Sequence, residues 1–168
     1  MTISRDVLGK YLRPGDVFYE TGTRWGDTMI KAAELKASSI HSCELDRRQY
    51  EMASAHIDDA IPPGKGVWSI ENMNSLSFLR LRKDQIDKNA VVFLDAHTDT
   101  YSPVMQETTI LLGWNVPPRI ILIDDIRCMK TWEVDVNVMV RKMTKAGYTI
   151  HYDDGVVPND ILVATRLS

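Results

Sequence analysis

The chain has 168 residues, 44% of them hydrophobic and 26% charged, with a formal net charge of −3 at pH 7. That length matches one ordinary domain spanning residues 1–168, able to bury about two-thirds of the surface it exposes when unfolded, so neither a disulfide nor a structural metal is required. The charge balance excludes the basic excess of a protein that wraps nucleic acid, and the two cysteines, Cys43 and Cys128, form no Cys-x-x-Cys pattern, which argues for buried thiols rather than a zinc site.

In chain order, Ser4 to Leu12 reads as a short opening helix. No basic segment followed by an apolar stretch marks a signal peptide, and no run approaches the roughly 18 apolar residues of a membrane span, so a cytoplasmic location without a membrane partner is expected. Short apolar runs then alternate with segments of helical period. Val17 to Glu20, Ser39 to Glu44, Val67 to Ile70, Ala90 to Asp95 and Ile120 to Asp124 read as buried parallel strands. Ile61 to Gly66, with two prolines and two glycines, reads as a loop rather than a domain boundary. Trp132, Val136, Met139, Val140 and Met143 make one apolar stripe, which predicts a helix over Thr131 to Ala146 stopped by Gly147. Tyr148 to Tyr152 and Ile161 to Thr165, on either side of a turn-rich stretch, suggest a closing antiparallel hairpin. Strands alternating with helices imply right-handed crossovers. The expected fold is therefore α/β: a doubly wound, mostly parallel, seven-stranded Rossmann-like sheet with a C-terminal antiparallel hairpin, and a ligand site at the carboxyl ends of its strands.

The first strand runs directly into Glu20-Thr21-Gly22-Thr23-Arg24-Trp25-Gly26. Glycines there allow positive φ and close approach of a ligand, and the following helix start offers free N–H groups. A dinucleotide loop would carry three glycines against a diphosphate. This loop keeps only Gly22 and Gly26 and adds an acid, which suits a cationic or zwitterionic ligand. It resembles motif I of the class I S-adenosylmethionine-dependent methyltransferases. That resemblance implies cofactor binding by Glu20, Gly22, Thr23 and Gly26, and gives Glu44, closing the second strand, the role of the acid that accepts hydrogen bonds from the ribose hydroxyls. It also places Asn74 and Ser75 near the adenine. The plain alternative is a tight turn at the two glycines and a helix cap at Glu44.

Asp95-Ala96-His97-Thr98-Asp99 follows the fourth strand and Asp124-Asp125 the fifth, and these strand ends are neighbours in the expected sheet. Carboxylates from Asp95, Asp124 and Asp125 in one cleft would repel unless a hard cation such as Mg²⁺ sat between them. The arrangement is similar to the metal-dependent O-methyltransferases of the catechol and macrocin types. The resemblance implies a divalent ion held by Asp95, Asp124 and Asp125, with Asp95 also beside the cofactor, and a base that takes a proton from a small hydroxylated acceptor. The resemblance puts that base at Thr98; His97 is the candidate, with binding the metal, orienting Asp95 or bonding to a backbone carbonyl as its other possible roles. Asp99 and Asp125 are also candidates for helix caps.

Two other readings compete. Asp-Ala-His-Thr-Asp resembles the ureohydrolase signature that binds paired Mn²⁺, although the further Asp-x-Asp motif of that family is missing and the chain is short for it. A methyltransferase-like domain kept for binding alone is the third class. Trp25, Tyr101, Trp114 and Trp132 are candidates for a pocket wall, with core packing the commoner use of such residues, and Arg127 to Lys130 is expected on the same rim. The short segment before the first strand leaves the expected pocket with little lid, which motivates a homo-oligomer as the expected assembly.

Overall fold

Alternation of apolar residues decides the architecture. In the computed structural model, which describes residues 3–61, 66–84 and 87–166, Val17, Tyr19, Val92, Leu94, Ile121 and Ile123 point into one apolar cluster, while Phe18, Val91, Phe93, Ile120 and Leu122 point into another on the opposite face. Strands apolar on both faces must be covered on both, which is the demand of a central parallel sheet. The chain meets it with helices α1 (Arg5–Tyr11), α2 (Asp27–Glu34) and α3 (Arg47–Ala60) on one face, and α4 (Ser75–Leu81), α5 (Val104–Leu112) and α6 (Val136–Lys145) on the other.

The strands are β1 (Val17–Thr21), β2 (Ser39–Glu44), β3 (Val67–Asn72), β4 (Ala90–Leu94), β5 (Ile120–Ile123), β6 (Tyr148–Asp153) and β7 (Ile161–Arg166). They lie in the order β3-β2-β1-β4-β5-β7-β6. β1 to β5 are mutually parallel; β7 runs antiparallel to both β5 and β6, so β7 alone is reversed. The expected doubly wound sheet and closing hairpin are both present. The strand order turns back between β1 and β4, and there the outgoing chains splay and leave a crevice for ligand.

Three boundaries differ from the sequence expectation. Asp95 and Asp124 lie just past β4 and β5 rather than in them, although Asp95 N–H still donates to Thr21 O and Asp124 N–H to Leu94 O, both at 3.1 Å. β3 extends to Asn72. The predicted Thr131–Ala146 helix begins only at Val136: Asp135 accepts from the N–H groups of Asn137 and Val138 at 2.9 and 3.1 Å and caps it there, while the segment from 131 to 133 is a turn with Glu133 at φ 55°. The opening helix matches its expected span, with Ser4 as its N-cap. Of the Ile61–Gly66 loop, residues 62–65 lie outside the described residues. Cys43 is buried as expected, whereas Cys128 is half-buried. No described helix is long and apolar enough to cross a membrane.

Candidate functional site

A cleft of about 1200 Å³ opens at the carboxyl ends of β1, β2 and β4, lined by residues of the β1 loop, the ends of β2 and β3, the β4 loop and Asp125 with Arg127. Of the residues singled out from sequence, Glu20, Gly22, Thr23, Glu44, Asn74, Ser75, Asp95, His97 and Asp125 line it; Gly26 and Asp124 do not.

The two loop glycines are fixed by packing of the chain on itself. Gly22 sits at φ 84°, and a Cβ there would come within 2.8 Å of the Asp95 carbonyl oxygen and 3.1 Å of Ala96 backbone. Gly26, at φ 83°, starts α2, and its Cβ would meet Ile57 of α3 at 2.6 Å. Both positions exclude side chains whether or not a ligand is bound. The loop is pinned from below, because Gly22 and Thr23 N–H donate to Cys43 O at 3.0 and 3.1 Å.

Glu20 is 1% exposed and has only hydroxyl neighbours: Ser42 donates to its Oε2 at 2.9 Å, and Thr28 also bonds to it. Thr23 lies 2.6 Å from the Ser42 hydroxyl, extending the chain toward the cleft. Burial pushes the Glu20 carboxyl up to about 8, with the hydroxyls and the field of Lys31 opposing. Glu44 has a different task in the protein. Its Oε2 accepts from Arg24 N–H at 2.8 Å and its Oε1 from Asp46 N–H at 2.9 Å, so one carboxylate ties the β1 loop to the start of α3. Asp46, not Glu44, caps α3. Asn74 is the N-cap of α4, its Oδ1 accepting from Ser77 N–H at 2.9 Å, and Ser75 follows it at the cleft floor.

At the other end of the cleft, His97 stands between carboxylates. Its Nε2 is 3.1 Å from Asp125 Oδ2 and 3.6 Å from Asp95 Oδ1, and its Nδ1 is 3.3 Å from Thr98 O. A carbonyl only accepts, so the contact with Thr98 needs a hydrogen on Nδ1 and leaves Nε2 as the nitrogen that gains or loses the proton. The bond to Asp125 raises the His97 pKa, and the same bond lowers that of Asp125. Trp132 packs on the imidazole at 4.8 Å between ring centroids. Asp125, itself at φ 56°, is also paired at 2.6 Å with Arg127, which bridges to the buried Asp160 at the start of β7. Thus the repulsion expected of the three acids is answered by protein cations, His97 and Arg127. Asp95 is pushed well above the usual carboxylate range by burial and by Asp124, and burial takes Asp124 to about 6.

Two sets of ligand atoms lie close enough for one metal ion, Asp95 with His97 and Asp125, and Asp124 with Asp125 and Asp160, each within 4.8 Å. Asp125 is common to both. Asp124 joins the second set, with its Oδ1 accepting from Asp125 N–H at 2.9 Å. Asp99 is exposed and belongs to neither, so the Asp-Ala-His-Thr-Asp run brings only two of its polar residues together. Among the aromatic candidates, Trp25 and Tyr101 are half-exposed on the cleft, whereas Trp114 is core, with its indole N–H donating to Leu79 O at 3.0 Å. Of the expected rim segment, Arg127 faces the cleft and Met129 is core.

Sequence reading missed Glu107, fully buried in α5 beneath the site. Its signal was present, since Val104, Glu107, Thr108 and Leu111 share one helical stripe.

No protein-family model matches the chain, and no curated protein matches its sequence. Solved structures do match in three dimensions. The putative methyltransferase yhhF from Escherichia coli superposes with a TM-score of 0.70 at 15% identity, over 98% of this chain and 86% of that one. Magnesium protoporphyrin IX methyltransferase (ChlM) from Synechocystis PCC 6803 with bound SAM gives 0.64 at 13%, over 97% and 78%. Ribosomal protein L11 methylase from Lactobacillus delbrueckii subsp. bulgaricus gives 0.60 at 10%, also over 97% and 78%. At such identities the likeness shows a Rossmann-like methyltransferase fold, and chemistry has to be argued from the site.

Proposed function

We propose that the chain is an S-adenosylmethionine-dependent methyltransferase acting on a small hydroxylated acceptor. The observation that carries this is Glu20: a carboxyl on the cleft at the reversal point of the sheet, buried, with hydroxyl contacts and no basic side chain in hydrogen-bonding contact among the described residues. Such a group favours a ligand that brings its own positive charge. Glu44, one strand away, adds a second carboxylate with lone pairs left for ribose hydroxyls, so the pocket is acidic where a dinucleotide site would bind phosphate. The solved ChlM structure has this fold with SAM bound, which agrees with the assignment.

In this reading Glu20, Thr23, Glu44, Asn74, Ser75 and Asp95 hold the cofactor, with Gly22 and Gly26 shaping the loop. The cofactor supplies an electrophilic methyl group on sulfur. The acceptor hydroxyl proton passes to Nε2 of His97, and Asp125 stabilises the imidazolium that results. Asp95, near Nε2, orients the ring. The cleft volume leaves room for an acceptor beside the cofactor, with Trp25 and Tyr101 at its mouth.

A second reading adds a divalent ion at Asp95, Asp124 and Asp125. The grouping of Asp95, His97 and Asp125 favours it, as one nitrogen and two oxygens can share an ion. It requires a neutral His97 as ligand, because a protonated ring already supplies the positive charge. An ion there would lower the pKa of the acceptor hydroxyl.

Calorimetry with S-adenosylhomocysteine, with and without Mg²⁺, tests both. Micromolar binding without metal is expected; absence of binding in either condition overturns the cofactor assignment. Methyl transfer to hydroxylated acceptors that persists in EDTA and falls about 100-fold or more in His97→Gln identifies the histidine route. Loss of transfer in EDTA, restored by Mg²⁺ and abolished in Asp125→Asn, identifies the metal route.

A further inference from the structure

Glu107 lies on the second turn of α5 with 0% exposure, against the end of β1 and the start of α4. Its neighbours are the hydroxyls of Ser75 and Thr21, which oppose the effect of burial on its acidity. Neither Glu107 oxygen nor the Thr21 hydroxyl completes an aligned hydrogen bond among the described residues. A fully buried carboxyl without aligned donors is costly, and such groups persist where they serve a site. Ser75 connects this group to the cleft: it is the first residue of α4, 7% exposed, and lines the floor beside Met73, Asn74 and Leu76.

A serine hydroxyl has one hydrogen to donate and two lone pairs to accept with. An ionised carboxylate only accepts, so Glu107 claims the Ser75 hydrogen from below and leaves the Ser75 oxygen as an acceptor toward the cleft. Without Glu107 the hydroxyl rotates freely and donates or accepts alike. We propose that Glu107 is a positioning residue that commits the Ser75 hydroxyl to accepting, so that the cleft selects a nucleoside with an exocyclic amino group over one with a carbonyl at the same place. The inference rests on the nucleoside assignment proposed for the cleft, and extends it to a residue that touches no ligand itself.

The test compares S-adenosylhomocysteine with S-inosylhomocysteine, which replaces the purine amino group by a carbonyl, in calorimetry at pH 8, above the value of about 7 to which burial raises Glu107. The intact chain is expected to prefer the amino ligand by about tenfold, the equivalent of one hydrogen bond to a well-placed partner. Ser75→Ala and Glu107→Met are each expected to bring the two affinities within about twofold, while Glu107→Gln, whose amide oxygen still accepts, retains most of the preference. A preference that both Ser75→Ala and Glu107→Met leave unchanged overturns the role of Glu107 while the cofactor assignment stands. Equal weakening of both ligands in Glu107→Met, with the preference kept, also overturns it, since that is the effect of packing alone. If neither ligand binds the intact chain, the cofactor assignment itself fails. Ser75→Ala, at the cleft surface, keeps the test decisive should Glu107→Met fail to fold.

Discussion

Glu20 is held by hydroxyls alone, and that makes its charge a matter of pH. At neutral pH a carboxyl raised to about 8 is mostly protonated. Binding a cation asks it to release that proton, so affinity for S-adenosylmethionine is expected to rise from pH 6 to pH 8.5 and then level. Glu20→Gln should flatten that profile and weaken binding about tenfold at pH 8.5, both read by calorimetry. The stability effect has the opposite sense. The unfolded carboxyl ionises near its ordinary value and the folded one only near 8, so native Glu20 costs stability progressively across that window, and Glu20→Gln should gain relative melting temperature as pH rises through it. Gly22 behaves differently from its usual reading as a ligand contact. With φ at 84° and a Cβ position 2.8 Å from Asp95 O, Gly22→Ala is expected to cost about 2 kcal/mol in urea unfolding with or without ligand.

At the scale of elements, the caps account for what the sequence showed and what it hid. The apolar stripe from Trp132 to Met143 is real in spacing, yet Trp132 leaves the helix to pack on His97, because Asp135 captures the first free N–H groups of α6. Periodicity measures which residues are apolar, and a tryptophan buried by a neighbouring loop counts the same as one buried by its own helix. Asp135→Ala should lower stability by about 1 kcal/mol and leave cofactor affinity unchanged, measured by urea unfolding and calorimetry. The strands were legible because short apolar runs need no partner to be recognised; their ends were not, since pairing at Asp95 and Asp124 depends on the neighbouring strand. The acids Glu20, Glu44, Asp95 and Asp125 were likewise readable as strand-end residues. The pairing of Asp125 with Arg127 and His97 was hidden because an αL backbone at an aspartate, which aims that side chain, has no sequence mark. Glu107 was hidden by its type, as a glutamate in a helix ordinarily faces water.

Across the whole molecule, the site depends on the strand that joins the sheet against the direction of the others. Asp160, at the entrance to β7, is 1% exposed, accepts from Arg127 N–H at 3.2 Å and pairs with its guanidinium, and its carbonyl accepts from Ile126 N–H at 3.0 Å. Removing one partner of a buried pair leaves an uncompensated charge, so Asp160→Ala should cost about 3 kcal/mol in urea unfolding. Because the same arginine steadies Asp125, methyl transfer should fall further than cofactor affinity does, a split that single-turnover kinetics beside calorimetry will show.

β7 also imposes an order on the birth of the protein. β6 is made before it but has no place against β5 until β7 lies between them. During synthesis, then, the five parallel strands can assemble and the glycine loop can close while Tyr148 to Asp153 waits unpaired. Asp125 acquires its Arg127–Asp160 anchor only as Asp160 emerges. A nascent chain on the ribosome would be able to collect a nucleoside before it could use one, and the final strand acts as the latch that releases chemistry to a finished fold.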